Sequence, residues 1–266
     1  MGGKTLSVEL NNIWITSDWH LGHDREFIWK PRGFESLSQM ENTIVERHNS
    51  LVAQDDDVYV LGDLMLGPDI THTLKLLLQM NGRFHIVRGN HDTDRRWEAY
   101  KQLSNVVEVD NAIYLKYRKY HFYMSHYPSL TGNLEKENLH QMTLNLFGHT
   151  HSKEEFYEDR PYMYNVSMDA HNCFPCNLND IIHKMKIKVL ECEVAAADGV
   201  TPHDTCVKAG ILKPYEAWQA ADAYRNRYCD KCVHYRISCG GPGLLRAECP
   251  PDIKYRRDPP DGGYYG

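Results

Sequence analysis

The sequence has no apolar run long enough to cross a bilayer, so no membrane is expected as a partner. Its amino terminus, Met1-Gly2-Gly3-Lys4, lacks the apolar stretch of a secretion signal, and the expected compartment is the cytoplasm. An excess of cations is missing too. The formal charge of −6 argues against extended, non-specific contact with nucleic acid. Without a secretion signal, the eight cysteines read as metal ligands or free thiols rather than as a disulfide framework.

What remains is an ordinary globular composition. A hydrophobic content of 42% over 266 residues gives room for one large domain, with or without a small appendage. The charge is uneven: residues 201–266 hold 10 Lys and Arg against 8 Asp and Glu, whereas residues 1–200 hold 20 against 28. An acidic body suits a cation site, and it equally suits a solvated surface.

Five short apolar runs end in Asp, Asn or His. Asp18-Trp19-His20 follows Ile13–Ser17, Gly62-Asp63 follows Val58–Leu61, and Gly89-Asn90-His91-Asp92 follows Phe84–Val87. His126 follows Phe122–Ser125, and Gly148-His149-Thr150-His151 follows Leu144–Phe147. Strands that deliver polar side chains at their carboxyl ends are where α/β proteins build sites. Helical stripes follow each of the first three runs: one opened by Glu35-Ser36-Leu37 and running to Leu51, then Ile70–Met80 and Asp94–Leu103. From Val106 the texture becomes β-like. The runs Val106–Val109, Ala112–Tyr117 and His121–Met124 are expected as antiparallel hairpins, with further strands at Tyr162–Ser167 and Lys186–Leu190. Asn177 or Asn179 is expected to cap a short helix ending near Lys184. Helix-alternating strands followed by a strand-rich half suggest two packed sheets flanked by helices.

Seven side chains stand out as ligands: Asp18, His20, Asp63, Asn90, His126, His149 and His151. Carboxylate, imidazole and amide oxygen without thiolate suit Mn, Fe, Ni, Zn or Co. Seven are too many for one ion unless one of them bridges two. A carboxylate can bridge, and Asp63, on a central strand, is the natural bridge. Two ions about 3.5–4 Å apart can hold a hydroxide between them and grip both sides of an in-line displacement at phosphorus.

In order and spacing these motifs, with Ser125-His126-Tyr127-Pro128, resemble those of the calcineurin-like metallophosphoesterases. Within that family the chain looks most like a small bacterial and phage branch, on Asn81-Gly82-Arg83, Arg88 and Asn165-Val166-Ser167-Met168-Asp169. The resemblance covers residues 13–190. It implies a four-layer αββα sandwich of two mixed sheets over residues 1–194. It assigns Asp18, His20, Asp63 and His151 to one metal, and Asp63, Asn90, His126 and His149 to the other, with manganese as the favoured ion. It places His91 beside the leaving group, where it donates its proton or stabilises charge on phosphate, roles imidazole suits. Asp92 is expected to support a histidine of the site. Arg88 is expected to bind phosphate, and His23 to touch substrate or hydrogen-bond the site, each weighed evenly against a purely structural role.

Residues 195–250 are expected to be a Cys-rich appendage and 251–266 a flexible tail. Cys229, Cys232, Cys239 and Cys249, spaced C-x2-C-x6-C-x9-C, could enclose one structural zinc. Cys206 with three of them could instead hold an iron–sulfur cluster. Cys173 and Cys176 read as buried thiols at a turn. The leading functional expectation is a two-metal phosphoesterase acting on a small, nucleotide-like monoester or diester. A nuclease using the more basic end, and a non-catalytic scaffold on the same fold, are the alternatives.

Overall fold

The computed structural model of the chain describes residues 12–133 and 138–196. The described residues up to Gly132, together with Thr143–Ile181, form one compact unit; the described residues of Asn133–Met142 and those from Ile182 to Ala196 group as a second. Both sheets and every site residue discussed below belong to the first unit. The four cysteines expected to bind zinc, and the expected tail, lie outside the described residues.

The first half alternates as its periodicities require. Strand β1 (Ile13–Thr16) leads through a one-turn helix α1 (Glu26–Trp29) to α2 (Leu37–Leu51) and β2 (Asp57–Leu61). Then come α3 (Ile70–Leu77), β3 (Arg83–Val87), α4 (Asp94–Tyr100) and β4 (Val106–Asp110). Ser36 starts α2 by accepting the Gln39 amide at 3.2 Å, and Asp69 starts α3 by accepting that of His72 at 3.0 Å.

β1 to β4 pair in parallel in the order β4-β3-β2-β1, and a two-residue strand β9 (Cys176–Asn177) closes the far edge antiparallel to β1. Parallel strands must be covered, and here they are. Val58, Val60, Phe84 and Ile86 share one apolar cluster with Met40 and Ile44 of α2, Leu76 and Leu77 of α3, and Tyr100 of α4. His48 sits inside this layer, stacked on Phe84 and edge-on to Trp19, with its Nε2–H donating to the Asn81 carbonyl at 2.7 Å.

The second sheet follows the order β5-β6-β7-β8, from Ala112–Tyr117, Tyr120–Ser125, Thr143–Phe147 and Met163–Asn165. Only β5 and β6 form a hairpin; β6, β7 and β8 run parallel. Tyr120, Phe122 and Met124 of β6 alternate with less buried neighbours, as period-two strands demand, whereas β7 is buried on both faces from Leu144 to Phe147. Two mixed sheets with helices make an α/β fold of the calcineurin-like sandwich type.

Two expectations are corrected. β4 does not pair with β5; it extends the first sheet beside β3, and the chain changes sheets at Asn111. Val106 and Val109 are half-buried against the helix-side cluster, a gain no hairpin would offer. The strand expected over Lys186–Leu190 and the helix stop near Lys184 are both absent, because one helix, α5, runs Leu178–Ala196. Leu178, Ile181, Ile182, Met185 and Val189 are all buried, at helical spacing. Alternating lysines at 184, 186 and 188 imitate a strand. The Asn177 side chain accepts the Asn179 amide at 3.0 Å at the start of that helix.

Candidate metal centre

The loops after β1, β2, β3, β6 and β7 are drawn together by backbone hydrogen bonds. The Asp18 amide donates to the Gly62 carbonyl at 3.1 Å, and the His20 amide to that of Asp63 at 3.0 Å. To meet these bonds, Asp18, His20, Asp63, His149 and His151 all adopt left-handed backbone, with φ of 60, 52, 53, 67 and 50°. Such a φ is uncommon outside glycine, and each instance costs about 1–3 kcal/mol that the surrounding packing must offset. Strain of this kind concentrates at functional sites. Two glycines allow the loops to close up. A Cβ on Gly89 would overlap the Asp63 amide and Oδ1, and one on Gly148 would overlap Ser17 Oγ and Asp18 Oδ2.

Asp18 is fully buried, and its two oxygens are treated differently. Oδ2 accepts Ser17 Oγ at 2.6 Å and the His149 amide at 2.9 Å. Oδ1 has no hydrogen-bond partner. It faces His20 Nε2 and His151 Nε2, each at 3.9 Å, and those two nitrogens are 3.1 Å apart. Burial pushes the Asp18 carboxyl above its ordinary range, with His126, Ser17 and His151 opposing it. Burial, then the charge of His151, pushes His20 down to about 3, so its ring is neutral and can offer a lone pair.

Asp63 stands between two groups of ligands. Its Oδ1 is fixed by the His91 amide at 2.8 Å. Its Oδ2 lies 3.9 Å from His20 Nε2 on one side and 3.4 Å from His126 Nε2 on the other. Burial would raise this carboxyl, but the hydrogen bond and charge of His126 and the His91 amide hold it at about 2. On the His126 side, Asn90 Oδ1 meets His126 Nε2 at 2.8 Å and His149 Nδ1 at 2.9 Å.

These residues fit divalent ions. Asp18, His20 and His151 present ligand atoms within 4.8 Å of one another, and so do Asp18, Asp63 and His126. The outer nitrogens of two histidines are already spent. His126 Nδ1 donates to the Leu61 carbonyl at 2.8 Å, and His151 Nδ1 to Asp169 Oδ2 at 2.8 Å. Each ring therefore turns an Nε2 lone pair inward, the arrangement metal-binding histidines adopt. The orphaned, buried Asp18 Oδ1, facing the Nε2 atoms of His20 and His151, needs a cation more than it needs another hydrogen bond.

The remaining sequence candidates fall in different places. His91 is half-exposed, with Nε2 3.9 Å from Asp63 Oδ2, and it lines a cleft of about 640 Å³ together with His20, His23 and His151. Asp92 is buried and supports backbone rather than a histidine: it accepts the Asp63 and Gly89 amides at 2.8 and 2.9 Å and the Tyr100 hydroxyl at 2.7 Å. Arg88 does not turn toward the gathered ligands. Its guanidinium binds Asp94 and the Asp92 carbonyl and lies over Trp97.

Two residues of this site had been given no role from sequence. Asp169 grips Arg32 through both oxygens, at 3.0 and 2.9 Å, while it holds His151. Arg32, almost wholly buried, also donates to the Asp18 carbonyl at 2.8 Å. The hydrogen bonds from His151 and Arg32 hold the Asp169 carboxyl far below its ordinary range despite burial. The only signal for Asp169 was its place at the end of the Asn165–Asp169 run; Arg32 had none.

Comparison with known proteins agrees with this architecture. Residues 12–166 match the calcineurin-like phosphoesterase superfamily domain. The chain is 28% identical over 182 residues to an uncharacterized protein of Methanocaldococcus jannaschii, a match covering 66% of this chain and 92% of that one. It is 25% identical over 165 residues to the Gene 66 protein of Mycobacterium phage L5, covering 54% and 79% respectively. The crystal structure of a protein of unknown function from Aquifex aeolicus shares the fold, with a TM-score of 0.51 at 19% identity over 65% of this chain and 98% of that one. Strand ends, inward-turned histidines and a domain match over more than half of its length lead to one conclusion: the chain belongs to the calcineurin-like phosphoesterase superfamily.

Proposed function

We propose that the protein is a dinuclear metal-dependent phosphoesterase acting on a small, nucleotide-like phosphate ester. One observation carries this reading above the rest: Asp63 Oδ2 faces His20 at 3.9 Å and His126 at 3.4 Å from opposite groups of ligands. Asp18, His20, Asp63 and His151 would hold one ion, and Asp63, Asn90, His126 and His149 the other, with manganese among the ions this nitrogen and oxygen set suits. When bound, two such ions neutralise phosphoryl charge and activate a water for in-line displacement.

The chain's own residues supply the rest. His91 stands at the mouth, close to Asp63 yet half-exposed, so its Nε2 can deliver a proton to a leaving oxygen. Its main chain is pinned while its ring stays reachable: the amide donates to Asp63, and the carbonyl accepts Arg96. Asp169, Ser17 and the Leu61 carbonyl orient ligands.

The test is turnover of an aryl phosphate ester by manganese-supplemented protein. Asp63→Asn should abolish it. His91→Ala should lower kcat by about 10²–10⁴-fold while leaving bound metal unchanged. Full turnover in both variants would refute the mechanism.

A further inference from the structure

The cleft beside His91 has a wall that metal chemistry does not explain. Besides its histidines and Asp169, it is lined by Phe27, Ile28, Pro31 and Leu66. Phe27 lies on the one-turn helix α1 and is 69% exposed, an unusual position for a large apolar side chain. Its ring meets His23 edge-on at 5.5 Å, and His23 in turn lies 5.7 Å from His20. A row of aromatic rings thus runs from His20 outward to Phe27, on the side where His91 stands.

The charge of the cleft is equally informative. No lysine or arginine is among the residues described as lining it, and its one carboxylate is that of Asp169. Nearby arginines are committed elsewhere or stand outside. Arg96 donates to the carbonyls of His91, Leu66 and Gly67, and Arg32 is held by Asp169 and Asp18. Arg25 is near enough that its charge helps to lower the His23 pKa, after burial and His91, yet it does not line the cleft. A substituent carrying further phosphates would find no counter-charge there, whereas a planar, uncharged one would find an aromatic edge and aliphatic walls.

We infer that this cleft is the leaving-group subsite for a phosphate ester whose departing substituent is planar, apolar and uncharged, with Phe27 as its specificity-determining residue. The inference rests on the phosphoester-hydrolase reading above. In the reaction a P–O bond forms to the water oxygen and the P–O bond to the substituent breaks. The departing oxygen takes the proton of His91, the attacking water gives its proton up to solvent, and His91 regains one from solvent.

The test uses the full chain with manganese. Kinetics are measured on bis(4-nitrophenyl) phosphate and 4-nitrophenyl phosphate, and calorimetric binding on 1-naphthyl methylphosphonate, which needs no turnover. Both esters carry the same planar leaving group, so both should be hydrolysed. Phe27→Ala should raise the diester KM and weaken phosphonate binding, each about tenfold, as loss of an aromatic stacking partner does, with kcat nearly unchanged. Phe27→Trp should restore both. If neither ester is hydrolysed but the phosphonate binds in a Phe27-dependent way, the hydrolase reading fails and the subsite stands. A diester KM unmoved by Phe27→Ala, or phosphonate binding that is absent or indifferent to it, overturns the inference.

Discussion

At the scale of the residue, the site is governed by where each polar atom spends its hydrogen bonds. Asp169 is the sharpest case, since it holds His151 and Arg32 at once without lining up as a ligand itself. Asp169→Asn should therefore weaken metal binding about 10–100-fold, measured by competition with a chelator, while the fold survives. His48 shows the same accounting inside the core. Its Nε2–H is paired with the Asn81 carbonyl, its Nδ1 has no partner, and burial pushes the imidazole down to about 4. The unfolded chain, with an ordinary value near 6.5, takes up this proton first. Stability should thus fall as pH drops from about 6.5 towards 4 and level off below, by about 3 kcal/mol from this group at most. Urea titrations across that range should show a shallower pH slope for His48→Leu than for the native protein; an unchanged slope would show that His48 is not the group that titrates.

At the scale of the element, strand ends carry the chemistry and glycines set how closely they approach. Gly148→Ala would drive a Cβ into Ser17 Oγ and Asp18 Oδ2. It should lower metal affinity together with stability, since the loop after β7 must retreat from the loop after β1. Ser36→Ala, which removes a helix cap far along the chain from any ligand, should cost about 1 kcal/mol in denaturant and leave metal affinity untouched. Elements were legible in the sequence where one period dominated. The first three strands and the helices between them fall within a few residues of expectation, because each helix has one apolar stripe and each strand one short buried run. Legibility failed where two signals competed. In α5, alternating lysines masked a helical apolar stripe, and at β4 a turn signal at Asp110-Asn111 suggested a hairpin although Val106 and Val109 had a better surface to cover. Asp169 and Arg32 were illegible as site residues for another reason: they are 137 positions apart, and their meaning exists only in contact.

At the scale of the whole molecule, the fold brings five loops from two sheets to one place. The strands of the first sheet supply Asp18, His20, Asp63, Asn90 and His91, while β6 and β7 of the second supply His126, His149 and His151. No described helix is long and apolar enough to cross a membrane. The convergence of ligands from both sheets onto Asp63 is the central claim, and anomalous diffraction from manganese-soaked crystals tests it most directly. The account predicts two peaks, about 3.5–4 Å apart, on either side of the Asp63 carboxylate. No peak beside Asp63, or ions bound only elsewhere in the chain, would contradict it.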